Sequence, residues 1–186
     1  MTTLLGASNV NSKLSSGIAN SKWHLGGARE DNYETLIAEG IYREERNTSA
    51  IYSGNPSSIY AKVGLMYPSD YGYATVGGTT TNKSSCRTKE LYNWDDESYS
   101  DCKNNDWLFT SQVVSWGSNK NEWLLSPYSS DSYFAAVLNY TGFADPNGYS
   151  VSVGQYAVRP TFYLDSSILK IVGTGDGTKD NAYRVG

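Results

Sequence analysis

An α+β domain is what this sequence predicts: two helices at the N-terminal end, then an irregular, loop-rich antiparallel sheet. Three observations carry the prediction. Apolar residues recur at helical spacing only in the first quarter of the chain. Beyond Ile51 the apolar runs are short and are separated by clusters of Gly, Ser, Asn and Asp, which favour turns. A chain of 186 residues also suits one domain with its own core, so residues 1–186 are read as a single unit.

The elements follow in order. Val10, Leu14 and Ile18 repeat every four residues after Ser8-Asn9, a pair able to cap a helix. Trp23-His24-Leu25-Gly26-Gly27 ends that helix. A second begins at Asp31, with Glu34 placed as in a capping box and Tyr33, Leu36, Ile37, Gly40 and Ile41 on one stripe. The polar run Arg43 to Ser49 closes it. Lys62 to Tyr67 reads as a core strand and Pro68 to Ala74 as a short capped helix. Residues 77 to 106 are almost wholly polar and read as one long loop, a length that is usually functional or disordered. Asp106-Trp107-Leu108-Phe109 and Glu122-Trp123-Leu124-Leu125 look like strands, Tyr133 to Tyr140 alternates weakly, and Asp145-Pro146-Asn147-Gly148 has turn composition. Ile168 to Val172 can pair with Ala182 to Val185.

Composition narrows the function. With a net charge of −4 and no clustered basic surface, nucleic acid is excluded as a partner. No segment has the pattern of a membrane anchor, so no membrane insertion is expected. Sixteen Tyr and five Trp stand among Ser, Gly and Asn, the residue set of adaptable binding surfaces. Most of these rings are expected in half-buried strand positions, and a minority in recognition.

Cys86 and Cys102 flank a polar segment. A bridge between them would contribute roughly 3 kcal/mol by restricting the unfolded chain. Such a disulfide favours an oxidising, extracytoplasmic location. Without a signal peptide in view, the chain reads as a piece excised from a longer exported protein.

These residues carry a likeness. Two helices followed by a loop-rich region between short antiparallel strands resemble the C-type lectin fold in its broad sense. Pro68-Ser69-Asp70-Tyr71-Gly72-Tyr73-Ala74 is similar to the short helix of formylglycine-generating-type and retroelement-diversified members. Trp123-Leu124-Leu125-Ser126-Pro127 with Val158 to Leu164 resembles the terminal strands of surface and pilin-like proteins of Gram-positive gut bacteria. Gly175-Asp176-Gly177-Thr178 through Val185 is similar to their closing hairpin. The resemblance implies an exported bacterial surface protein with a protein or glycan ligand. Asp145-Pro146-Asn147 only partly echoes the calcium-dependent sugar-binding signature, and the cysteines are not placed like those of the formylglycine-generating enzymes. Neither activity is implied.

Catalytic constellations are sparse. His24 is the only histidine and no nucleophile elbow supplies a partner serine, so His24 is read as structural. One His and two paired Cys cannot supply a zinc site. Asp95, Asp96, Glu97, Asp101, Asn104, Asn105 and Asp106 offer oxygen ligands that could hold calcium, although a solvated acidic face fits the spacing better. Asp70, Glu122 and Asp131 are conceivable glycosidase carboxylates. Arg159, inside an apolar strand, should be anchored by a carboxylate, with Asp70 the expected partner.

The function expected is non-enzymatic ligand recognition, adhesin-like, needing no cofactor. A structural surface or pilus subunit is the first rival and a glycan-active hydrolase the second. The binding surface is assigned to the stapled segment, through Tyr92, Trp94, Asp95, Asp96 and Tyr99, and to the loop after Pro127, through Tyr128, Asp131 and Tyr133. Trp94 and Tyr99 are expected to be exposed, and Trp123 to lie in the core.

Overall fold

The computed structural model describes residues 16–110, 121–152, 156–166, 171–172, 181 and 184–185. It is a mixed α+β protein with small antiparallel sheets. Strands β1 (Ser21–His24) and β2 (Ser58–Ala61) pair, with helix α1 (Ala38–Arg46) between them in sequence. A two-residue strand β3 (Gly64–Leu65) leads into helix α2 (Pro68–Ala74). Then come α3 (Lys83–Arg87), 3₁₀ turns at Leu91–Asn93 and Glu97–Tyr99, and the short helices α4 (Ser100–Asn104) and α5 (Trp107–Thr110). The main sheet is a meander of β4 (Glu122–Pro127), β5 (Phe134–Leu138) and β6 (Ala144–Ser150). β7 (Pro160–Thr161) returns to pair with β3, and β8 (Ile171–Val172) pairs with β9 (Arg184–Val185).

The N-terminal helices differ from expectation. The first, from Ser8-Asn9 through Leu14, lies outside the described residues. Ile18, its expected last member, is buried and bridges Leu164 in antiparallel fashion. Trp23-His24 belongs to a strand rather than to a helix stop. The second helix starts at Ala38, seven residues beyond the expected cap. Asp31 and Glu34 lie instead in turns held by the Arg29 N–H donating to Asn32 Oδ1 at 2.8 Å. The physical reason is tertiary pairing. Ile37 bridges Glu90, and the Leu91 N–H donates to Leu36 O at 3.2 Å, which holds residues 36–37 extended. The helix then runs through the polar stretch expected to end it. Glu39 and Arg43 form a 2.7 Å ion pair one turn apart, and Glu45 turns inward.

One core receives both layers. Ala38 and Ile41 of α1, Met66 just before α2, Tyr71 and Ala74 of α2, and Leu124, Ala136, Leu138 and Ala144 of the main sheet pack together. Cys86, Leu91, Trp94, Cys102 and Leu108 join the same cluster. The segment read as a polar loop is thus a helical layer whose Cys86, Leu91, Trp94 and Cys102 side chains are buried. Its disulfide, Cys86–Cys102 with Cα atoms 5.5 Å apart, is part of the core. Asp106-Trp107-Leu108-Phe109, expected as a strand, is the start of α5. Asp106 Oδ1 accepts the Leu108 and Phe109 N–H groups at 2.9 and 3.2 Å, which is helix capping by a residue whose side chain competes with strand pairing.

Asp145-Pro146-Asn147-Gly148, expected as a turn, lies inside β6. Between the pairs Asp145–Val137 and Tyr149–Ala135, three residues of β6 oppose one of β5. The bulge is held by Asp145 Oδ1, which accepts from Asn147 N and Gly148 N at 3.1 and 2.9 Å. Gly148 has φ +75°, a conformation that penalises any side chain. The chain uses turn chemistry here to bend a strand rather than to link two.

Candidate functional site

The segment from Gly26 to Ile37 ties the two predicted binding segments together. Gly26 N–H donates to Glu45 O and Gly27 N–H to Ala50 O, each at 3.0 Å. A methyl at Gly27 would lie 1.8 Å from the Pro127 carbonyl oxygen, so the glycine pair is there for backbone contact on two sides. Immediately beyond, Ser129 donates from N and Oγ to Ala28 O at 2.9 and 2.8 Å. The Glu30 N–H donates to Ser130 Oγ at 3.1 Å. At its other end the segment holds the stapled layer through the Ile37–Glu90 bridge.

Tyr33 stands between these attachments. Its ring meets Tyr92 edge-on at 5.4 Å and Tyr128 edge-on at 6.5 Å. Tyr92 in turn meets Phe143 at 5.5 Å. Such edge-to-face contacts suit the ring quadrupole, and each adds about 0.5–1.5 kcal/mol to simple burial. Tyr33, Tyr92 and Phe143 are half-buried, whereas Tyr128 is buried. Around them lie Glu30, Asp31, Glu34, Asp95, Asp131 and Asp145. The Tyr33 hydroxyl donates to Glu34 Oε1 at 2.9 Å, and chiefly for that reason its ionisation is pushed up to about 12. Burial raises Tyr92 and Tyr128; Asp145, Glu34 and Asp95 add to the effect at Tyr92, Glu30, Asp131 and Asp31 at Tyr128. Asp145 is itself raised by burial, against the two N–H groups it accepts.

The predicted site residues divide. Tyr92 and Tyr128, from the two separate segments, meet through Tyr33. Trp94 does not belong with them: it is fully buried at 0% exposure against Tyr71, 5.2 Å away, and corrects the expectation of an exposed ring. Tyr99 is half-buried, packed on the core, with Lys89 Nζ 4.1 Å above its ring. Asp95 is exposed and accepts from Thr141 Oγ1 at 3.2 Å. Asp96 is exposed and occupied by its own turn, accepting Ser98 N and Oγ at 2.8 and 2.7 Å, which lowers its pKa. Asp131 Oδ1 accepts the Tyr133 N–H at 2.8 Å, and the Tyr133 ring stands 66% exposed.

The acidic run offered for calcium is dispersed in the same way. Asp101 accepts from Thr80, Thr81 and Asn105, and Asp106 caps α5. Among the described residues no three His, Cys, Asp or Glu side chains come together as a metal site. Of the conceivable catalytic carboxylates, Asp70 accepts the Tyr67 N–H at 2.9 Å and Glu122 holds Arg159. Asp70 is therefore not the partner of Arg159, correcting that expectation.

Tyr33, Phe143 and Asp145 were missed. The apolar stripe places Tyr33 on a helix and the composition around Asp145 marks a turn, so neither signal points to Tyr92. No protein-family model, curated protein or solved structure matches the chain. No described helix is long and apolar enough to cross a membrane.

Proposed function

We propose that this chain is a non-enzymatic recognition module whose ligand surface is centred on Tyr33. The observation that supports this reading most directly is the meeting of Tyr92 and Tyr128 through Tyr33, where the partly exposed rings of Tyr33 and Tyr92 are backed by the buried Tyr128 on a disulfide-stapled framework. Aromatic side chains on fixed backbone supply contact area at small entropic cost, and adjacent carboxylates and hydroxyls supply orientation. The carboxylates most removed from solvent are occupied otherwise: Glu45 by Ser69 and Arg46, Glu122 by Arg159 and Asp106 as a helix cap. That arrangement suits support better than acid–base chemistry.

We place the module, on the strength of its disulfide and of the sequence resemblance, on the surface of a bacterium within a C-type-lectin-like fold. A glycan and protein array tests the reading. The expected result is a selective hit that Tyr33→Leu weakens while the melting temperature stays within a few degrees. Concentration-dependent self-assembly without a hit would favour a structural subunit, and released product would favour a hydrolase.

A further inference from the structure

The charge around Tyr33 narrows the class of ligand, and the inference rests on the recognition reading above. Five carboxylates of this neighbourhood, Glu30, Glu34, Asp95, Asp131 and Asp145, have no ion-pair partner among the described residues. Asp31 has only the exposed Arg29, at 3.3 Å, which Arg29 shares with Glu44 at 3.5 Å. Elsewhere in the same molecule tyrosine faces already carry cations. Arg46 lies 3.5 Å above Tyr42 and 5.0 Å from Tyr67, Arg87 lies 5.0 Å from Tyr73, and Lys89 lies over Tyr99. The rings at the junction are arranged with carboxylates instead, the complement of those pairs.

We infer that the Tyr33–Tyr92 surface binds a cationic peptide segment, taking an arginine or lysine side chain onto the rings with Glu30 and Glu34 beside it. A guanidinium on a tyrosine face gains from the ring quadrupole, and a flanking carboxylate adds a charge-assisted hydrogen bond. The hydroxyl of Tyr33 is already committed to Glu34, so that carboxylate is held at the ring rather than free to turn away. Neutral sugars would use the rings and could donate hydroxyls to the carboxylates, but would leave the negative charge uncompensated. The overall balance of −4 acts in the same direction, favouring encounter with basic partners.

The test is a titration of the intact chain with a short peptide alternating glycine and arginine. Its citrulline counterpart, equal in size but neutral, and a neutral chitin oligosaccharide are titrated alongside. The arginine peptide is expected to bind, to weaken with added salt, and to lose about tenfold or more in affinity in Glu30→Gln/Glu34→Gln. Tyr33→Leu is expected to weaken it by several fold, the citrulline peptide not to bind, and Glu39→Gln/Glu97→Gln, which removes the same charge elsewhere, to change little. Near-ultraviolet circular dichroism checks that each variant is folded. Absence of binding by the arginine peptide overturns the inference, as does equal loss in the two charge variants. Binding of the oligosaccharide alone, lost in Tyr33→Leu, overturns the cationic ligand while leaving a recognition surface at Tyr33. A folded protein that takes up no probe and gives no array hit ends both readings.

Discussion

Arg159 grips Glu122 across the edge of the main sheet: its Nη2 donates to Oε2 at 3.0 Å and its Nε lies 2.9 Å from Oε1. The carboxylate is almost wholly buried, and Arg159 Nη2 also donates to the Leu108 carbonyl at 3.2 Å. One guanidinium thereby joins β4, α5 and the strand that returns to β3. Burial raises the Glu122 pKa and Arg159 opposes that rise. Arg159→Met, which leaves the carboxylate without its cation, should destabilise the domain by about 3–5 kcal/mol in urea unfolding. The loss should be smaller at pH 5 than at pH 8, because Glu122 can then protonate. Glu122→Gln combined with Arg159→Met should recover much of it, and a double-variant loss equal to the sum of the two single-variant losses would show that the two side chains act independently.

Trp94 and Trp123 reverse their expected order of burial. Trp94→Ala removes a fully buried ring beside Tyr71 and should cost about 3–5 kcal/mol. Trp123 is half-buried and stacks on Tyr156 at 4.9 Å, on the row of the sheet shared by Val137 and Asp145. That row faces away from the core side chains Leu138 and Ala144, so Trp123→Ala should cost less than Trp94→Ala. Thermal or urea unfolding of the two variants side by side decides the order.

The inversion shows what local sequence carries. Short apolar clusters such as Trp123-Leu124-Leu125 announced strands, and Pro68 to Ala74 announced its helix, because proline at the first turn and Asp70 at the third position act locally. Trp94, by contrast, sits in a run of Asn, Asp, Glu and Ser that no periodicity marks as buried. Its burial follows from packing in the core cluster, above all against Tyr71 of α2, a partner that the chain brings to it only in three dimensions. The site was legible in the same partial way. Tyr92 and Tyr128 could be singled out by type, but Tyr33 was assigned to a helix, and the bridge between Ile37 and Glu90 that prevents this is a long-range pairing.

The disulfide gives a second stability test. Cys86→Ala/Cys102→Ala should lose roughly 3 kcal/mol, the entropy of a closed loop of this length, with any additional loss reporting the two buried sulfurs. Intact mass of the native protein, with and without reductant, should differ by two hydrogens. Free thiols in the untreated protein would remove both the staple and the argument for export.

Buried carboxylates set the pH dependence. Burial raises Glu45 to about 7 despite the Ser69 N–H and Oγ–H groups donating to it at 2.9 and 2.6 Å. It also raises Asp106 to about 7. Between the ordinary carboxylate range and pH 7 the folded state therefore binds protons that the unfolded state has released. Stability from these groups is fully present below about pH 4 and is lost as pH rises through 7. The domain should be more stable at pH 5 than at pH 8 by on the order of 2 kcal/mol, and Glu45→Gln, which can keep both Ser69 contacts, should flatten that slope. A stability that rises from pH 5 to 8 would contradict the assignment.

Gly27 offers the sharpest test of the junction itself. A Cβ there would collide with the Pro127 carbonyl, a backbone group that cannot rotate aside. The strain should fall on the neighbouring links from Ser129 and Ser130 to Ala28 and Glu30, leaving the core around Tyr71 and Trp94 intact. Gly27→Ala should therefore destabilise the domain by about 1–3 kcal/mol, the range for overpacking a tight site. Amide hydrogen exchange should quicken at residues 128–133 and stay slow in α2. Because Tyr128 would no longer be held against Tyr33, ligand affinity should drop even in the folded fraction. Exchange that quickens uniformly across the domain would mean that the glycine supports the whole core and not the meeting of these segments.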